Sequence, residues 1–218
     1  MLRLQTYTGY FKYDTVEGTT LPAVAPNFGL RDNATWSDLT AKLFELNAQG
    51  ALQDGSSYKL LFAGRHGQGV HNVAESKYGT PAWDSYWSEL TTDGTLVWGP
   101  DAKLTALGVE QAQAVNDAWK AMLQQKDAAP LPSRLFSSPL SRALSTLEIS
   151  FDGILVSNPN NTAPAQKQPG LGGLLGDVTG AIGKALQPKL TPEVKELFRE
   201  EYVEHTCDER TTKTQLLK

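Results

Sequence analysis

The 218-residue chain has little of what usually fixes small or exported folds from outside: one cysteine, two methionines and three histidines. With Cys207 alone no intrachain disulfide can form, which excludes a disulfide-stapled secreted scaffold. No group of His, Cys and Asp stands at the spacing of metal ligands. No apolar run nears the roughly 18 residues that a bilayer span needs, and no membrane partner is expected. Positive charge is not in excess either. Twenty Lys and Arg against 24 Asp and Glu leave a net charge of -4, which argues against a nucleic-acid partner. Residues 1–7 turn polar before a secretory core can form, so a cytoplasmic place is expected, with the nucleus also open. The oligomeric state is not legible.

What is present suits one α/β domain over residues 1–218: 40% hydrophobic and 20% charged residues in 23.7 kDa. Residues 1–33, rich in Tyr, Thr, Gly and Pro, read as an irregular N-terminal arm. Ser37 reads as a helix cap, followed by Leu39, Leu43 and Leu46 at helical spacing up to Gly50. Tyr58–Ala63 is a short, mostly apolar run of the kind that forms a buried strand. A short helix is expected to start over Asn72–Lys77. Trp83, Tyr86 and Trp87 share a helical face and read first as core. Thr105 opens the clearest helix, with Val109, Ala112, Val115, Ala118, Trp119 and Met122 in one stripe. Ser133–Ser137 reads as a second strand, and Pro139 and Ser141 as the start of a helix through Leu147. Residues 152–190 form a Gly, Pro, Asn and Gln-rich insertion. Within it Leu171, Leu174, Leu175, Val178, Ile182, Ala185 and Leu186 keep helical spacing, with Gly172, Gly173, Gly176 and Gly180 weakening any helix. Thr191–Glu200 resumes helical pattern with Pro192 in its first turn.

The most telling stretch is Arg65-His66-Gly67-Gln68-Gly69-Val70-His71-Asn72, directly after the first expected strand. Ligands of open α/β sheets bind at such strand ends. Arginine offers a planar fork to phosphate oxygens, and histidine a nitrogen able to attack phosphorus. Arg142, near the end of the second expected strand, could add a second fork, and Asn72 a neutral hydrogen bond. A carboxylic acid is then needed to protonate the departing oxygen, and the late segment offers Glu200 and Glu201.

These pieces, with Leu104-Thr105-Ala106-Leu107-Gly108 and Ser137-Ser138-Pro139-Leu140-Ser141-Arg142, resemble the histidine phosphatase superfamily, also called phosphoglycerate mutase-like. His71–Gly79, Trp98-Gly99-Pro100-Asp101, Leu197-Phe198-Arg199-Glu200 and His205-Thr206-Cys207-Asp208 resemble its fungal phosphomutase-like branch. The resemblance implies a three-layer α/β/α sandwich around a mostly parallel sheet. It implies His66 as the nucleophile forming a phosphohistidine, with Arg65, Arg142 and Asn72 binding the phosphoryl group. Glu200 would be the proton donor, no metal would be needed, and the partner would be a small phosphorylated metabolite. The expected function is a phosphomonoester hydrolase, with a phosphomutase and a noncatalytic phospholigand-binding paralogue as alternatives.

The family also places a second histidine in a later Gly-His turn, which none of His66, His71 and His205 matches. The expectation is therefore a sheet incomplete at its C-terminal side, in a fragment or a degenerate paralogue. Loss of one such transition-state donor costs about 3–4 kcal/mol, so weakened turnover is expected.

Overall fold

In the computed structural model, which describes residues 4–14, 24–157, 189–201 and 204–211, five α-helices and two short strands are formed. The helices are α1 (Trp36–Gln53), α2 (Val70–Tyr78), α3 (Thr80–Ser85), α4 (Ala106–Met122) and α5 (Ser141–Phe151). Strand β1 (Phe136–Ser137) pairs in parallel with β2 (Glu193–Val194), in the register Phe136 to Glu193 and Ser137 to Val194. The class is α/β. The chain divides into two compact units, Met1–Arg65 with Gln113–Pro132, and His66–Ala112 with Ser133–Lys218.

In the first unit, α1 starts at Thr35, whose Oγ1 accepts the Asp38 amide at 3.0 Å. Thr35, rather than Ser37, is therefore the cap residue. Ser37 donates instead to Asp127, whose carboxylate also takes the Trp36 and Ser37 amides. A residue 90 positions away thus closes the helix start. The helix passes the expected end at Gly50 because Gly50 is buried against the Ser56 carbonyl, where a side chain would collide. Phe28, Trp36, Phe62 and Trp119 form the aromatic cluster of this unit, with Phe28 and Trp119 centroids 4.5 Å apart.

The expected strand over Tyr58–Ala63 does not form. The segment joins no ladder among the described residues, and Leu61 is 80% exposed. An apolar run becomes a strand only if a partner strand takes its backbone groups, and no described segment does so.

In the second unit, Trp83 and Trp98 are buried with Ala74, Ala102 and Cys207, and Tyr78, Trp87 and Leu90 pack around them. Trp83 and Trp87 are thus core, as their spacing suggested, whereas Tyr86 is exposed. Asp93 organises the turn beside this core. Its carboxylate accepts the Lys77 ammonium, the Tyr78 hydroxyl and the Thr95 and Leu96 amides. These bonds hold its carboxyl far below the ordinary carboxylate range.

The helix expected over Thr191–Glu200 is replaced by β2 and a 3-10 turn at Glu196–Phe198. Proline at position 192 suits an extended entry as well as a first helical turn. The ladder decides, since Glu193 donates to Leu135 O at 2.8 Å and Lys195 to Ser137 O at 2.9 Å. Of the insertion at 152–190, residues 152–157 and 189–190 are described. There Leu190 donates to Leu155 O at 2.7 Å. The helical spacing over Leu171–Leu186 lies outside the described residues, as does part of the 1–33 arm. No helix among the described residues is long and apolar enough to cross a membrane.

Candidate active site

Backbone-to-backbone packing sets the position of His66. A Cβ on Gly67 would run into the Gly108 carbonyl, and one on Gly108 into the Gln68 carbonyl. Only glycine at both places lets the loop lie against the first turn of α4. Thr105 locks the same contact. Its amide donates to Gln68 O at 2.9 Å and its hydroxyl to Gln68 Oε1 at 2.8 Å. The Gly67 amide donates to Thr146 Oγ1 of α5 at 3.1 Å, which ties the loop to a second helix.

Arg142 reaches the same point from the first turn of α5. Leu140 at the cap position has no side-chain acceptor, so the helix start is closed from elsewhere. Buried Asp101 accepts the Ser141 amide at 2.8 Å and the Ser141 hydroxyl at 2.6 Å, and also the Thr211 hydroxyl at 2.9 Å. This carboxylate sits where the orphan amides and the positive end of the helix dipole favour an anion. Arg142 is thereby held fully buried.

The guanidinium is the centre of the site. Nε donates to His66 Nε2 at 3.3 Å, and Nη1 to the Cys207 carbonyl at 2.8 Å. Nη2 donates to Glu200 Oε2 at 2.7 Å and to Asp208 Oδ1 at 2.5 Å. A guanidinium has no acceptor, so His66 Nε2 must be the unprotonated ring nitrogen. The ring proton is then on Nδ1, 2.6 Å from the Gly67 carbonyl. His66 thus presents its Nε2 lone pair on the side of Arg142.

The two carboxyl groups differ in setting. The Glu200 side chain is 56% exposed and that of Asp208 is 8% exposed. Partial burial pushes Glu200 up, but the Arg142 charge, hydrogen bonds with Asp208 and Arg142, and the His66 ring outweigh it. Its carboxyl therefore titrates below the ordinary range. Burial pushes Asp208 up, and neighbouring Glu200 adds to this against the pull of Arg142, so its carboxyl titrates above the ordinary range. Burial, then Asp208, pushes the Cys207 thiol up to about 12.

The structure therefore brings His66, Arg142 and Glu200 together, and Glu201 is exposed. Arg65 is exposed at the end of the first of the two segments that make up the first unit. Asn72 Oδ1 accepts the Gly69 amide at 2.9 Å and so closes the start of α2. His71 is buried beside the loop, its ring centroid 5.4 Å from that of His66. Arg210 lies 3.6 Å from Glu196. Asp101, Asp208 and the Cys207 carbonyl were given no role by sequence reasoning. The signal available was their place inside Trp98-Gly99-Pro100-Asp101 and His205-Thr206-Cys207-Asp208. His205, Cys207 and Asp208 offer donor atoms within 4.8 Å of one another, but Arg142 already holds Asp208 and its charge opposes a cation there.

Residues 61–157 match the model of the histidine phosphatase superfamily (branch 1). A probable phosphoglycerate mutase of Arthroderma benhamiae is 35% identical over 224 residues, covering 95% of this chain and 57% of that protein. Phosphomutase-like protein 3 of Candida albicans is 36% identical over 61% of this chain and 37% of its own. A probable phosphoglycerate mutase of Saccharomyces cerevisiae is 35% identical over 70% of this chain and 43% of its own. The chain thus spans about half the length of these relatives. No solved structure matches.

Proposed function

Since the chain belongs to the histidine phosphatase superfamily, in its fungal phosphomutase-like branch, we propose that it hydrolyses small phosphomonoesters through a phosphohistidine at His66. One observation carries this reading: buried Arg142 and the Gly67 carbonyl together select the tautomer of His66 whose Nε2 holds the lone pair. That nitrogen attacks phosphorus, and the bond to the ester oxygen breaks. Arg142 and Arg65 would hold the phosphoryl oxygens, with Asn72 assisting through its amide nitrogen. Glu200 would give a proton to the departing oxygen and later take one from the attacking water. No metal or other cofactor enters this scheme.

Turnover is proposed to be slow. Four N–H donors of Arg142 already serve protein acceptors, so an incoming phosphoryl group must displace some of them. The fold proposed is the three-layer α/β/α sandwich, with β1 and β2 as part of its mostly parallel sheet, and the location proposed is the cytoplasm. A phosphomutase is the second reading, favoured by the names of the relatives in Arthroderma benhamiae and Saccharomyces cerevisiae. It would return the phosphoryl group to another hydroxyl instead of to water.

Hydrolysis of p-nitrophenyl phosphate, beside a His66→Ala control, tests the reading. Release of nitrophenol above the control is expected. Equal rates in the two proteins would remove the enzyme reading.

A further inference from the structure

The site contains one more carboxyl group than the proposed chemistry uses. Asp208 and Glu200 meet the same Arg142 nitrogen, at 2.5 and 2.7 Å. One guanidinium balances only one of the two charges, so the pair favours holding a single proton. Among the described residues, Cys207 and His205 also stand near Asp208 and His66 near Glu200, with Asp84 3.7 Å from His205.

On the reading that His66 is phosphorylated, we propose that Asp208 is a positioning residue that stores the proton Glu200 delivers. The need arises from the site itself. Arg142 favours Glu200 as the anion, yet a general acid must carry a proton when the ester bond breaks. Asp208 is sheltered and Glu200 is open to solvent, so the proton rests inside and is passed outward. The direction of both carboxyl shifts agrees.

The step balances. The His66 Nε2 pair forms the N–P bond, and the P–O electrons stay on the ester oxygen. The one proton of the pair passes from Asp208 to Glu200, and the ester oxygen takes it from Glu200. When water attacks phosphorus, its proton returns to the pair and the N–P electrons return to His66.

Asp208→Asn keeps a neutral, hydrogen-bonding side chain on Arg142 and Glu200 but cannot pass a proton on. Its effect must depend on the leaving group. With glycerol phosphate, whose alkoxide needs the proton, kcat is expected to fall roughly a hundredfold, the scale of general acid catalysis. With 2,4-dinitrophenyl phosphate, whose phenolate leaves unprotonated, kcat is expected to change less than about threefold. Infrared difference spectra of the full chain near pH 7 should show a protonated-carboxyl C=O band that Asp208→Asn abolishes. Equal losses on both esters would assign Asp208 a merely structural hold on Arg142 and overturn the proposal. So would absence of the carboxyl band in the unsubstituted chain. A band present in a chain that hydrolyses neither ester would sink the phosphatase reading itself, and the storage role with it.

Discussion

Replacing Arg142 by methionine removes the group on which the site converges while roughly keeping its volume. The protonated Asp208 carboxyl would be left buried without its donor, and the Cys207 carbonyl with the Ala102 amide alone, at 3.4 Å. Leaving a buried acceptor without its donor costs about 1–3 kcal/mol. The Glu200 contact adds little, since that side chain is 56% exposed and exposed pairs contribute about 0–1 kcal/mol. For a chain of this length, each kcal/mol moves Tm by about 2–4 °C. Arg142→Met should therefore lower Tm by about 2–12 °C. Tryptophan fluorescence is the assay, because Trp83 and Trp98 lie in the core of the same unit. A drop in Tm below about 2 °C would refute this account of the buried guanidinium.

Asp101→Ala should cost about 1–2 kcal/mol by urea unfolding, since it strips the start of α5 of its only described side-chain cap. Gly108→Ala should destabilise by about 1–3 kcal/mol, and reduce activity as well, because the added methyl meets the Gln68 carbonyl and shifts the His66 loop. The Cys207 thiol, pushed up to about 12, should resist iodoacetamide at pH 8 in the folded chain and react once the chain is unfolded. Its raised value also stabilises the fold below the ordinary thiol range, and this contribution is lost as pH climbs toward 12. Asp93 is shifted down, so its contribution holds above the ordinary carboxylate range and fades on strong acidification. Asp93→Ala should lower Tm at pH 7 and flatten the acid side of the stability profile.

Local pattern was informative where one helix carried its own signal. The stripe expected from Val109 to Met122 falls within α4, where Ala112, Trp119 and Met122 are buried but Val109 is exposed. Ser141 and Pro139 mark the start of α5, which then runs to Phe151. Patterns that depend on a distant partner were read less well. Tyr58–Ala63 has strand composition without a described ladder, and Thr191–Glu200 has helix composition but pairs with β1. At the site, His66, Arg142 and Glu200 could be named from motifs, because each residue type is demanded by the chemistry. Asp101 and Asp208 could not, since a buried carboxylate is explained only by the donors that meet it. Those donors lie 40 and 66 positions away in sequence. Gly67 and Gly108 likewise mean little singly and become legible as two backbones in contact.

The central claim is that the Nε2 atom of His66 accepts a phosphoryl group. Rapid quenching of the chain with p-nitrophenyl phosphate into alkali, followed by peptide mass spectrometry, reads this directly, since a phosphoramidate survives base and is lost in acid. The account requires acid-labile phosphate on the peptide carrying His66, absent in His66→Ala. Phosphate located on another residue, or none trapped while nitrophenol is released, would contradict it.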